Sequence, residues 1–257
     1  MKTKLFYSTF FIILSFLASC SIFGEKTPTD CTEVHWTHNG EKDGQEEWVD
    51  LCTGYSACGG EVQSPINITG AVLGSNLSAI EFNYTTTETE IENNGHTIEF
   101  VCNAGNKINI GGTEYELLQF HYHGLSEHTV NSNHYPLEVH FVHKASNGNY
   151  AVIGIFFEEG AENTLFAEFL NNFPTEEGTY ADTTEIHLFE LLPENKSYFY
   201  YNGSLTTPPC SEIVNWYVLQ TPLTASATQI SQFSDILDNN YRNVQNLNGR
   251  SIFKYDE

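Results

Sequence analysis

Two short segments place histidines where a metal ion could be held. In Gln119-Phe120-His121-Tyr122-His123, an extended backbone sends Gln119, His121 and His123 to one face and the two aromatic rings to the other. Glu138-Val139-His140-Phe141-Val142 repeats the pattern, with Glu138 and His140 sharing a face. Were these segments antiparallel neighbours, His140 would stand beside the His121/His123 pair. Three neutral imidazoles with no ligating carboxylate suit zinc and leave a fourth position open for water. Such a ligand set leaves the double positive charge unquenched, and a water held there is acidified far below bulk water. Gln119 and Glu138, each two residues before a histidine on the same face, are placed to orient the rings. A lone His-x-His more often marks an ordinary strand. Two strands with the same polar-x-His spacing favour a metal centre, with copper as the other metal that composition allows.

The elements that must position these residues are mostly strands. Residues 80–84, 97–101 and 107–110 alternate apolar and polar side chains, as do 119–123 and 138–142. Residues 151–157 are continuously apolar around Gly154, as in a strand buried on both faces. Asn94-Gly95, Gly111-Gly112 and Asn147-Gly148 supply turns. Helical periodicity is confined to residues 163–173 and 228–237, the second capped by Ser226 or Thr228. The pattern predicts an α+β, mainly β, domain.

The chain of 257 residues can bury one large core. Its 40% apolar and 14% aromatic content is that of a globular protein. A net charge of -23 repels nucleic acid and anionic lipid headgroups and reads as a well-hydrated surface. The start is different. Met1-Lys2-Thr3-Lys4 is basic, and residues 5–18 form an apolar run too short for a comfortable membrane span. Residues 1–19 therefore read as an export signal. Leu17-Ala18-Ser19-Cys20 resembles the lipobox of bacterial lipoproteins, in which Cys20 would be lipidated; ordinary cleavage after Ser19 is the alternative. The expectation is an exported protein of the bacterial cell envelope, touching the membrane only through a lipid on Cys20. Residues 20–33, with Pro28, form its tether and 34–257 its single domain. Five further cysteines, Cys31, Cys52, Cys58, Cys102 and Cys210, permit at most two disulfides and leave one thiol. No Cys-x-x-Cys pair suggests a cysteine metal site.

From Trp36 to Arg250 the motifs resemble the α-class carbonic anhydrases in their bacterial form. The resemblance rests on Gln63-Ser64-Pro65-Ile66-Asn67-Ile68, Asn93-Asn94-Gly95-His96, residues 119–123, Ser126-Glu127-His128, Glu138-x-His140-x-x-His143, Ser204-Leu205-Thr206-Thr207-Pro208-Pro209 and Trp216. It implies a large twisted, mostly antiparallel sheet with short peripheral helices. It also implies reversible hydration of carbon dioxide to bicarbonate and a proton. His121, His123 and His140 match the zinc ligands, and a zinc-bound hydroxide would be the nucleophile. Thr206 matches the threonine that accepts from that hydroxide, and Glu127 the carboxylate that accepts from the threonine. A hydroxyl has one proton to give, so donation to Glu127 turns the Thr206 lone pairs toward the hydroxide. Val142, Val152, Leu205 and Trp216 match the apolar substrate wall, with Thr206 and Thr207 beside it. His96 matches the proton shuttle, a role suited to an unperturbed pKa near 6.5. Asn240 matches the residue whose backbone orients His123, and Ser64 and Tyr201 a buried hydrogen-bonded pair. Cys58 and Cys210 match the disulfide of exported members, bracing the Thr206 loop; Cys52 would then pair with Cys31 or Cys102. One departure stands out. Trp36-Thr37-His38 replaces the usual aromatic-Gly-Tyr, so His38 stands where a tyrosine borders the proton path and becomes a candidate second relay.

Two other functions share these residues: a catalytically silent carbonic anhydrase-like binding module, and a surface lipoprotein that sequesters zinc. Neither gives a reason to keep all three histidines together with Glu127, Thr206 and the apolar wall.

Overall fold

The computed structural model describes residues 30–166, 170, 173–174 and 176–257. The expected export signal, Cys20 and the tether up to residue 29 lie outside the described residues, as does part of the helix expected over 163–173. The described strands are, in chain order, β1 (Asn67–Ile68), β2 (Val72–Leu73), β3 (Glu81–Asn83), β4 (Thr86–Asn93), β5 (Ile98–Cys102), β6 (Lys107–Ile110), β7 (Thr113–His123) and β8 (Thr129–Val130). They continue as β9 (Asn133–His134), β10 (Leu137–Ala145), β11 (Tyr150–Glu159), β12 (Gly178–His187), β13 (Tyr198–Gly203), β14 (Val214–Leu219), β15 (Leu223–Ala225) and β16 (Phe253–Tyr255). Ten of them run side by side in the order β12-β4-β5-β7-β10-β11-β14-β13-β16-β2. β3, β6 and β15 extend this sheet, and β1, β8 and β9 form a small second one. Pairing in the large sheet is antiparallel except at β11–β14, β11–β15 and β16–β2. The fold is thus mainly β, with a large twisted sheet and few short helices.

Alternation on the central strands separates a packing face from a chemical face. Phe100, Phe120 and Phe141 occupy opposed positions on β5, β7 and β10 and are fully buried. Their rings stack at centroid distances of 4.6 and 5.3 Å. Each such ring buries a large apolar area, so this row is a principal anchor of the sheet. The neighbouring positions, Glu99, His121 and His140, point to the other face. Residues 151–157 are all buried in β11, as a continuous apolar run requires.

Strand β4 shows why some strands escape apolar periodicity. Its inward residues include Thr87 and Thr89 beside Ile91, and Glu88 and Glu90 face outward. Threonine is polar by composition but packs well on a pleated surface. The short helix α1 (Trp48–Leu51) precedes a tight helical turn, and α2 (Ala227–Leu237) lies against the sheet. Ser226 caps α2: its Oγ accepts from the Gln229 N–H while Gln229 Oε1 accepts from the Ser226 N–H. The buried face of α2 carries Phe233, whose ring lies 4.8 Å from that of Tyr122. Among the described residues, no helix is long and apolar enough to cross a membrane.

Two disulfides tie the periphery. Cys58–Cys210 spans 152 residues and Cys31–Cys52 spans 21. Cys102 keeps a free thiol, and burial pushes its pKa up to about 12.

Candidate active site

The register of β7 against β10 assembles the histidine cluster. His121 lies opposite His140, and His123 opposite Glu138. The ligating atoms of His121, His123 and His140 all fall within 4.8 Å of one another. Each ring has an acceptor behind it. His121 Nδ1 donates to Gln119 Oε1 at 2.8 Å, and His123 Nδ1 to the Asn240 carbonyl at 2.7 Å. His140 Nε2 lies 3.0 Å from Glu138 Oε1, close enough for strong attraction although the angle falls short of a well-formed hydrogen bond. These contacts leave Nε2 of His121, Nε2 of His123 and Nδ1 of His140 for an ion. His123 Nε2 is buried with no hydrogen-bond partner. An orphaned buried nitrogen is costly unless something ligates it. The donor set and the orphan both fit zinc.

Electrostatics keep the rings in their ligating form. Burial, reinforced by the neighbouring histidines, holds the His121 pKa well below its ordinary value. Burial likewise pushes His123 down to about 4 and lowers His140. All three rings are therefore neutral at neutral pH, with lone pairs free to bind. Glu138 behaves oppositely. Burial pushes its pKa up, but the His128 and His140 rings outweigh burial and hold it well below the usual carboxylate range. It accepts from the His128 N–H at 2.9 Å and from His128 Nδ1 at 2.7 Å. His128 Nε2 in turn meets the Tyr201 hydroxyl at 2.6 Å, and Tyr201 donates to Ser64 Oγ at 2.9 Å. A buried hydrogen-bonded chain thus runs from Glu138, beside the cluster, to Ser64, whose Oγ accepts from the Ser204 N–H at 3.0 Å.

Glu127 is fully buried beside the cluster. Its Oε1 accepts from the Arg242 N–H at 2.8 Å, and its Oε2 lies 3.7 Å from His123 Nε2 and 3.9 Å from His140 Nδ1. Burial raises its pKa, and the Thr206 hydroxyl, acting as a donor, lowers it. Oε2 nonetheless lacks a well-formed partner, so the Thr206 contact is a loose one.

A cavity of about 140 Å³ opens above the histidines. Val142, Val152, Leu205, Thr206, Thr207 and Trp216 line it, as do Gln119, Asn240, His38, His96 and Glu99. Val142, Val152 and Trp216 are themselves a cross-strand row on β10, β11 and β14, so the apolar wall is a product of register. Trp216 Nε1 donates to the Ser204 carbonyl at 3.0 Å, tying the wall to the loop that carries Leu205 and Thr206. Cys58–Cys210 closes the far end of that loop.

His96 follows the Asn94-Gly95 turn, where Gly95 takes a φ of 81° that favours glycine. Its ring stacks on Trp36 at 3.6 Å and 12° between planes. Partial burial, then the nearby His35, lowers its pKa. His38 lines the same cavity, but burial first, with His123 and His96 adding repulsion, pushes its pKa down to about 3. The ring is therefore neutral at neutral pH. Sequence reading missed the contributions of His128 and Arg242. His128 stands in a quoted motif without an assigned role. Arg242 is buried, a rare place for arginine, and its guanidinium serves Gln63 Oε1 and the Ser64 and Cys58 carbonyls at 2.8, 2.8 and 3.1 Å.

Three neutral imidazoles on a β-sheet, at the base of a cavity with one apolar wall, form a cluster able to hold one metal ion. Residues 43–256 match the family model of the eukaryotic-type carbonic anhydrases, and the chain belongs to that family of enzymes. It is 42% identical over 233 residues to a carbonic anhydrase of Klebsiella pneumoniae, covering 88% of this chain and 94% of that one. A carbonic anhydrase of Pectobacterium carotovorum is 39% identical over 242 residues, covering 93% and 98%. Among solved structures, the alpha-carbonic anhydrase from Thermovibrio ammonificans in complex with the inhibitor sulfanilamide superposes with a TM-score of 0.82 at 41% identity, covering 86% of this chain and 99% of that one.

Proposed function

We propose that the protein catalyses the reversible, zinc-dependent hydration of carbon dioxide to bicarbonate and a proton. The observation that carries this reading is the buried, unpartnered His123 Nε2 facing two further neutral imidazoles under an apolar wall. Zinc, when bound, supplies a water acidified to act as hydroxide near neutral pH and a charge that polarises the substrate. The chain supplies the rest. Gln119, the Asn240 carbonyl and Glu138 hold the three rings at fixed tautomers. Val142, Val152, Leu205 and Trp216 seat the uncharged substrate, with Thr207 at its edge. Thr206 gives its one proton to Glu127 and so presents lone pairs to the reacting oxygen. His96 takes up the released proton and passes it to buffer.

Two disulfides fit an oxidising compartment. The reading therefore includes export under residues 1–19, a lipid on Cys20 in the bacterial envelope, a tether to residue 33 and a catalytic domain over 34–257.

The test uses the chain lacking residues 1–20. Bound zinc near one per chain and fast proton release on mixing with dissolved carbon dioxide are expected. A His140→Ala variant should lose both. Full zinc with no acceleration over buffer would leave zinc sequestration or a silent binding module as the function.

A further inference from the structure

A row of side chains crosses four strands on the chemical face of the sheet. The register sets Glu92 of β4 opposite Glu99 of β5, Glu99 opposite His121 of β7, and His121 opposite His140 of β10. Opposed residues share a face, so Glu99 is the immediate cross-strand neighbour of a candidate metal ligand. Its side chain lines the cavity above the histidines. Among the described residues lining that cavity it is the sole carboxylate, and no lysine or arginine lines it. Among the described residues, no cationic side chain pairs with it.

The carboxylate is held in place. Asn94 Nδ2 donates to Glu99 Oε1 at 3.2 Å. The amide is fixed at its other end, because Asn94 Oδ1 accepts from the N–H groups of His96 and Thr97 at 3.0 Å each. A half-buried negative charge without a counter-ion therefore stands at a set position on the polar side of the cavity.

We propose that Glu99 sets the anion selectivity of this cavity: its charge weakens the binding of bicarbonate and other small anions at the metal position while leaving carbon dioxide unaffected. The inference rests on the reading of the cavity as a zinc site for carbon dioxide. Strands lie about 4.8 Å apart, which puts the carboxylate on the order of 7 Å from an anion held over the three imidazoles. Repulsion at that separation, in a partly solvated cavity, corresponds to roughly a tenfold change in dissociation constant. Carbon dioxide carries no net charge and is not repelled to first order. The product anion is repelled, so product inhibition in the hydration direction is relieved. The remaining charge of the molecule contributes less, because salt screens it over distance.

Cobalt(II)-substituted protein provides the test, with thiocyanate titrations at pH 8 followed by visible absorption and hydration rates measured in parallel. Glu99→Gln keeps an oxygen for the Asn94 amide and removes the charge. It should bind thiocyanate roughly tenfold more tightly than the parent, with the gap narrowing as inert salt is added, and keep kcat/KM for carbon dioxide within about twofold. Glu99→Asp keeps the charge and should stay near the parent affinity. Equal thiocyanate affinity in the parent and Glu99→Gln, or an Asp variant that behaves like the Gln variant, overturns the proposal. Cobalt bound without turnover would instead overturn the functional reading, and the thiocyanate comparison would still decide the role of Glu99.

Discussion

The proton route turns on two histidines whose surroundings differ. His96 is half-exposed and stacked on Trp36, with a pKa lowered first by burial and then by His35. His38 is more deeply buried and its pKa is held at about 3, so its ring is neutral at neutral pH. The expected consequence is that His96→Ala lowers the maximal rate on the order of 10- to 100-fold in dilute buffer, leaves kcat/KM near its parent value and is rescued by imidazole. Failure of imidazole to restore the rate would move the route elsewhere. The three ligands were legible in the sequence because strand period and ligand chemistry are both local. Gln119 and Glu138 were legible for the same reason, each lying on its histidine's own strand. The Asn240 carbonyl lies 117 residues from His123 and emerged only through resemblance. Glu99 went unread because its place depends on cross-strand register, which one segment's pattern does not contain.

At the scale of elements, alternation located the central strands and missed those whose inward positions are polar, as in β4. The helix expected over 228–237 runs over Ala227–Leu237, and of the two candidate caps Ser226 is the one used. The cysteines were read only as far as a choice. Cys52 pairs with Cys31 and not with Cys102, which sits on β5 with its thiol near the Phe100 carbonyl. Closing a loop of this size is worth about 3 kcal/mol through the unfolded chain. Replacing Cys31 and Cys52 together by serine should lower the urea midpoint by that amount of stability. An unchanged midpoint would mean that the short loop is already restrained without the bond.

The whole molecule carries a buried histidine with no part in the chemistry. His143 is fully buried, its Nε2 2.6 Å from the Tyr84 hydroxyl and its Nδ1 donating to the Ala151 carbonyl at 3.2 Å. Burial pushes its pKa down to about 3. Between that value and the unfolded value near 6.5, only the unfolded chain binds this proton. Stability from this group is therefore complete above about pH 6.5 and is lost as pH falls toward 3. In metal-free protein, the parent should lose about 2 kcal/mol more between pH 7.5 and 4.5 than a Tyr84→Phe/His143→Phe double variant. Urea midpoints at the two pH values measure the difference, and parallel losses would assign the effect to other groups.

The Cys31–Cys52 bond has a mechanical meaning as well. Cys31 lies on the N-terminal side of the domain's helices and strands, and Cys52, its partner, is fully buried. A pull arriving from the N-terminal side passes through the sulfur bridge into the body of the protein. Residues 32–51, which include Trp36 and His38, lie in parallel with that bridge, so the covalent bond bears load that would otherwise fall on them. The stacking of Trp36 on His96 is thereby insulated from tension on the leading segment.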